Sequence, residues 1–422
     1  VEALLLQTGA RLTPFGDEAR EAPVRGQSLG EAMREAVRVA GAKATSVAPL
    51  GTPSPASGGE RLIVTDDLWA TGHLLRRFVK LARKRGGASV LAVEEGLFTS
   101  FTQALQDLGS AEVEGKQCRL YPVAWTPDGA WDGSDPTKGG GAAPLLVPLD
   151  VRPGEMKVHK VFDPSETLVL PLTHLACVRV GHWTHLLKAN QMALVAWGIG
   201  LLAVEPWRAL WALLRAGSLN KWRIMQKLVV TGKNCDIHPT AVVEASVLGD
   251  NVTVGAGAVV RFCHLGDGAQ VSEGACALYS VLGKGAMVSR MGMVQSAVLY
   301  DKANTGQPGI QLCVIGRGSF VGAGVILGDF RLDGEVQVMH QGKLTSVGTN
   351  LMGCAVGHDV RILMRASFYP GRELPNGVTI LGPTRDMVAK IPASLPLEQP
   401  LLAQDGTLVP YDVWRASLKA QA

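Results

Sequence analysis

The chain lacks any block of five or more like charges, and its net charge is only +4 over 422 residues. A nucleic-acid surface needs clustered cations, so nucleic acid is not an expected partner. The seven cysteines (118, 177, 235, 263, 276, 313, 354) include no Cys-x-x-Cys pair and no cysteine–histidine group at metal spacing. No metal site is expected from them, and reduced thiols in a cytoplasmic protein account for them. The opening VEALLLQTGARL lacks a basic start followed by a long apolar core, so no secretory leader is expected there. The uncharged run 189–204 has sixteen residues, short of the about 20 that a spanning helix needs. Charged residues make up 18% and apolar residues 47%. That balance excludes a disordered chain and predicts packed domains, two or three at this length.

What is present is a repeat. Leu248, Leu265, Leu282 and Leu299 stand seventeen residues apart, as do Val243, Val260 and Ala277, and Ile237, Val254, Val271 and Val288. The spacing between these rows is six, six, five. The leucines at 248, 265 and 282 are followed by Gly-Asp-Asn, Gly-Asp-Gly and Gly-Lys-Gly. After an interruption the pattern returns as strict sixes at Val356, Ile362, Phe368, Leu374 and Ile380. A fixed period of this kind predicts a solenoid. Three short flats per coil, each pointing an aliphatic residue inward and turning at Gly or Asp-Gly, give a β-helix. A sandwich would show strict alternation and irregular turns instead. Cys263 and Cys276 fall on coil positions and read as small apolar packing. Two excursions, Tyr300 to Leu312 and Gly328 to Gly348, are predicted to leave the coils as loops that line a cleft.

The first 181 residues read differently. Strands are predicted at Ala3–Leu6, Arg61–Thr65, Ala88–Val93 and Leu168–Leu172, and helices at Ser28–Ala40, with Ser28 as cap, and His73–Arg85. Alternation of this kind implies an open, mostly parallel sheet covered on both faces. Ligands in such sheets sit beyond the carboxyl ends of the strands, where Thr8-Gly9 and Asp66-Asp67 fall.

ALLLQTGARLTPFGDEAREAPVRGQSL resembles the opening of the sugar-nucleotide pyrophosphorylases, whose loop reads Gly-x-Gly-Thr-Arg-x-x-Pro, then a lysine before Pro-Val-x-Gly. Gly9, Arg11, Pro14, Pro23, Val24 and Gly26 match. The resemblance implies a loop that cradles nucleotide phosphates and an Asp that holds Mg²⁺. Gly9, Arg11, Arg20 and Asp66 or Asp67 would take those roles here. The chain departs from the pattern at Gln7 or Thr8, where the first glycine stands, and at Ala19-Arg20, where the lysine stands. The Asp also arrives early, as if a segment were missing. Without its glycine the loop cannot bring backbone so close to phosphate. A domain kept for architecture or binding is the alternative.

In order along the chain, the whole resembles the family that fuses such a domain to a left-handed β-helix with acetyltransferase activity, N-acetylglucosamine-1-phosphate uridyltransferase. This implies hexapeptide repeats, a homotrimer, and acetyl-CoA meeting its acceptor between subunits. The stretch from Leu282 aligns with one ending in the family's catalytic histidine, which here is Arg290. An arginine keeps its proton at neutral pH and cannot serve as base. Leu278 and Tyr279 replace basic residues one flat earlier. Gly322-Ala323-Gly324 matches the family's Gly-Ala-Gly coil, but Asp329 and Phe330 replace its Asn-Tyr.

Between the domains, residues 182–230 form a helical collar. Glu205-Pro206 interrupts it, and Trp207, Trp211 and Trp222 sit among Arg208, Arg215, Lys221, Arg223 and Lys227. Such helices suit a membrane interface, here through residues 192–223. The alternative is that they pack on the β-helix or across a trimer axis. His182 and His185 share a face without a third ligand, so no metal is expected. His238 reads as a turn residue and His264 as a surface position.

The expected architecture is therefore a shortened nucleotidyltransferase-like α/β domain (1–181), the collar, a left-handed parallel β-helix (231–392), and a tail (393–422) that closes the open end of the coils. Three functions remain open, and so does whether the chain is an enzyme at all. One is hexapeptide-class acyl transfer in sugar-nucleotide or envelope-glycan metabolism, from acyl-CoA or acyl carrier protein. His340 or His358 would be the base, and Arg290, Asp329 and Lys343 would line the cleft. If it is not a base, His358 is an exposed turn residue. The second is a catalytically silent scaffold or membrane-docked binding protein. The third is nucleotidyl transfer with Mg²⁺ through a reworked loop. Localisation is cytoplasmic, with membrane association under the second reading.

Overall fold

The computed structural model describes residues 1–138, 141–163, 165–306, 309–382, 400–404 and 407–421. The protein is mixed α/β, with one mostly parallel sheet and a stack of short parallel strands.

The N-terminal sheet runs in the order Ala143–Leu146, Ser89–Glu94, Lys116–Thr126, Arg61–Thr65, Glu2–Gln7, Ala44–Pro49, and Gly109–Val113 pairs beside Lys116–Thr126. Lys116–Thr126 is antiparallel to its neighbours. Helices α1 (Leu29–Val39), α2 (Gly72–Arg85), α3 (Leu97–Thr102) and the first half of α4 (Trp183–Ala203) bury their apolar faces in one core with this sheet. Helix α1 starts where the sequence predicts. Ser28 accepts from the Glu31 N–H and Glu31 accepts from the Ser28 N–H, a reciprocal cap of two orphan donors. The opposite face departs from the expectation of two covered faces. It holds two small clusters, one around Trp131 and one around Leu120, packed against Ala48, Ala142 and Leu146, and among the described residues none of helices α1 to α4 contributes to them.

From Val230 the chain visits three parallel ladders in rotation. The first runs from Val230–Thr231 to Glu373–Leu374, the second from Asp236–Ile237 to Thr379–Ile380, and the third from Val242–Glu244 to Gly309–Gln311. This winding is consistent with a β-helix. Its corners recur at the same period. Ala245, Phe262, Tyr279 and Ser296 all take positive φ, and so do Asn234, Asn251, Gly268, Gly285 and Lys302. The corners that carry an aspartate have a further cause. Asp250, Asp267 and Asp301 accept from backbone N–H groups one coil earlier, at Lys233, Asp250 and Lys284 (2.7, 3.0 and 2.8 Å).

The two excursions behave differently. Residues 300–306 and 309–312 stay in the stack. Met287 pairs with Asn304 seventeen residues on, and Met293 with Gly309 sixteen residues on, so this coil is one residue shorter. The second excursion does leave, as an antiparallel hairpin of Gln337–His340 and Lys343–Ser346. It does not hang as a free cleft loop. Val336, Val338, Val347 and Met352 are buried in the core of the N-terminal domain.

The collar divides into three. The first half of α4 is buried, and Pro206 begins α5 (Pro206–Ala216), whose only buried residue is Ala212. Helix α6 (Lys221–Lys227) packs on the first coil. There Trp222 lies between Lys221 and Arg261, at 4.7 and 4.5 Å. In the tail, the hairpin Leu401–Gln404 and Thr407–Pro410 packs on α7 (Tyr411–Gln421), and residues 383–399, which span the end of the expected β-helix and the start of the tail, lie outside those described.

Candidate functional site

The strand Glu2–Gln7 delivers the loop that the sequence assigns to phosphate, and the strand Arg61–Thr65 delivers its aspartates. The two meet. The Thr8 N–H and hydroxyl both donate to Asp66 Oδ1 at 2.9 Å, which engages a loop N–H and the carboxylate with each other. Gly9 keeps positive φ with open space around it. Arg11 donates to the Gly16 carbonyl at 2.8 Å and lies 4.0 Å from Glu18, to which Arg20 pairs at 2.7 Å.

Asp67 has a different role. Arg179 bridges Asp67 and Asp135 at 2.9 and 2.7 Å, with all three side chains buried. Burial pushes the Asp67 carboxyl up. Burial acts the same way on Asp135, but Arg179 and Thr137 outweigh it and hold that carboxyl below its usual value. Removing one partner of such a set leaves an uncompensated buried charge, a loss of about 3–5 kcal/mol. Asp67 therefore holds the domain together. Among the described residues no group of three His, Cys, Asp or Glu side chains could hold a metal ion.

His358 is buried between the two domains and is not exposed at a turn. Its Nδ1 accepts from the Arg317 N–H at 2.8 Å, so Nε2 carries the proton and donates to Asp17 Oδ2 at 2.8 Å. Both ring nitrogens are engaged, which leaves no lone pair for a substrate proton. Phe15 and Tyr300 pack on the ring at 5.2 and 5.1 Å. Asn376 completes the contact, donating to the Phe15 carbonyl and accepting from the His358 N–H, both at 2.7 Å. Burial pushes the Asp17 carboxyl up, but the His358 bond and the Arg317 charge more than reverse this.

The hairpin brings His340 to the start of α4, where its ring meets that of His182 at 5.7 Å. His182 caps the helix through Thr184, and its Nε2 lies 3.2 Å from the Met339 carbonyl and 3.3 Å from Glu373. Trp183 donates to Glu373 at 2.9 Å. His185 is buried, bonded to the Ala104 carbonyl, and pushed down to about 3 by burial. His340 is half-buried, and its ring nitrogens form no hydrogen bond among the described residues. Burial and the neighbouring His182 keep it below the usual histidine value. Lys343 faces it across the hairpin register.

The other cleft candidates lie apart. Arg290 is on an exposed corner, paired with Glu273 at 2.9 Å. Asp329 is half-buried where the chain leaves the stack for the hairpin, and burial raises its carboxyl. His264 is half-buried, so it is not a fully exposed position on a flat. Burial, then the charge of Arg25, lowers it to about 4, and its Nε2 abuts Gly26. Sequence reasoning missed Asp17, Arg317, Glu373 and the Arg179–Asp135 pair, all partners from distant segments. No protein-family model matches the chain, and no curated protein does.

Proposed function

We propose that the protein has the pyrophosphorylase and left-handed β-helix architecture of sugar-nucleotide and envelope-glycan enzymes. It works as a membrane-docked binding scaffold, not as a catalyst at either inherited site. The observation that carries this reading is the engagement of the candidate groups in the fold. Asp66 is bonded to Thr8, Asp67 to Arg179, and His358 to both Asp17 and the Arg317 N–H.

Docking is supported by α5. Trp207, Leu210, Trp211 and Leu214 are 65, 56, 59 and 63% exposed. Residues 206–227 carry five cations and no carboxylate. Trp and Leu beside Arg and Lys favour the interface of an anionic bilayer, each cation adding about 1 kcal/mol near its surface.

Acyl transfer remains a second reading, because His340 has unbonded ring nitrogens and is neutral at pH 7, as a general base requires. That reading would use a trimer cleft with Lys343 beside it.

The test combines ligand-induced thermal shifts with flotation on phosphatidylserine vesicles. A ligand at a hundred times its dissociation constant adds about 2.7 kcal/mol of stability. The scaffold reading expects no shift with acetyl-CoA, UTP–Mg²⁺ or UDP-sugars, and flotation that is lost in the Trp207→Glu/Trp211→Glu double variant. A shift with acetyl-CoA that disappears in His340→Ala would replace it with acyl transfer.

A further inference from the structure

The second half of α4, the start of α5, residues 24–27 and the turn before α2 enclose a cleft of about 450 Å³. Ala193, Ala196 and Gly200 form its floor on one face of α4. A Cβ at Gly200 would meet nothing within 4 Å, so the floor is open there. Four charged side chains line the cleft, and three are paired. Glu35 binds Arg38 at 2.8 and 2.7 Å, and Glu205 binds Arg208 at 2.7 Å.

The fourth, Arg25, has no carboxylate partner among the described residues, and its guanidinium sits 5.4 Å from the Trp197 ring. Burial lowers Arg25 to about 10, so it stays cationic at pH 7. His73 and His174 also line the cleft, and burial holds both below the usual histidine value. Among the described residues the Trp197 ring compensates Arg25 in part, and no anion does. Arg25 is half-buried, and a cation held partly out of water without an anion is destabilised in a way that an incoming oxyanion relieves. A guanidinium fork matches phosphate and carboxylate oxygens alike.

We propose that this cleft binds an amphiphile with an oxyanion head, phosphate or carboxylate, on a single apolar chain. The head pairs with Arg25, and the chain lies along Ala193, Ala196 and Gly200 against Trp197. Trp207 and Trp211 do not line the cleft, so this assignment and membrane docking stand or fall separately.

Isothermal titration calorimetry of the full chain with dodecyl phosphate and with laurate, each below micelle formation, tests it. One-to-one binding is expected, weakened at least tenfold by Arg25→Gln and at least tenfold by Gly200→Leu, which fills the floor and leaves the charge. The tighter of the two probes identifies the head. Inorganic phosphate and dodecyl maltoside should not bind, and the Trp207→Glu/Trp211→Glu variant should bind as the wild type does. Absence of one-to-one binding overturns the proposal, and so does equal affinity in both cleft variants whose melting curves show them folded. Inorganic phosphate binding as tightly as dodecyl phosphate would also overturn it, by reducing the cleft to a bare anion site.

Discussion

His358 and His264 each depend on a neighbour far away in the chain. Asp17, 341 positions away, takes the proton-bearing nitrogen of His358. Gly26 gives His264 its space: a Cβ there would lie 1.9 Å from the ring, and Gly26 also has φ +83. Gly26→Ala should therefore cost about 3 kcal/mol in urea unfolding, from left-handed strain plus overpacking. Gly268→Ala, at φ +68 with open space, should cost only about 1 kcal/mol. Adding His264→Ala should recover part of the Gly26→Ala loss. Equal costs for the two glycines would show that no clash exists at Gly26.

The hairpin 337–346 shows why an interruption in a repeat is read correctly as an interruption and incorrectly as a free loop. Its Gln-Val-Met-His strand alternates, so Val338 faces inward, but the core it faces belongs to the other domain. Truncating Val338 to Ala should cost about 2 kcal/mol. The loss should appear in one transition shared by both domains, followed by far-UV circular dichroism and tryptophan fluorescence. Separate transitions, with only one shifted, would mean that the hairpin does not couple the domains. Helix α5 is the contrasting element. Its tryptophans were visible in the sequence, and so was Trp222, but Trp222 is 40% exposed under a cation from the first coils while Trp207 and Trp211 are 65 and 59% exposed, a difference of degree that composition does not carry.

For the whole molecule, the buried histidines set the response to acid. His185 and His264 have folded values near 3 and 4 against the ordinary 6.5. Below about pH 6.5 the unfolded chain takes up protons that the folded protein refuses, so stability falls as pH falls. The slope approaches about 1.4 kcal/mol per pH unit for each group between pH 6 and its folded value. The Asp17 carboxyl, held below its usual value, adds a loss only at still lower pH, as it is protonated. Melting temperature should drop steadily from pH 7 to pH 5, and His264→Gln should flatten the drop. A level profile over that range would contradict the burial of His185 and the partial burial of His264.

The coil period, the corner residues, the α1 cap and the break at Pro206 were legible in the sequence because each depends on neighbours within about one turn or one coil. A seventeen-residue spacing of aliphatic residues places them on one ladder whatever else the chain does, and Gly-Asp corners close because the acceptor lies one coil away. The fate of the candidate site was not legible. Whether Asp67 faces a metal or Arg179, and whether His358 is free or held by Asp17, depends on contacts between segments more than a hundred residues apart. Sequence spacing carries no signal for such contacts. Arg25 is the same case: only the packing of α4 over residues 24–27 left it without a carboxylate, and only tertiary structure decides which charges are paired.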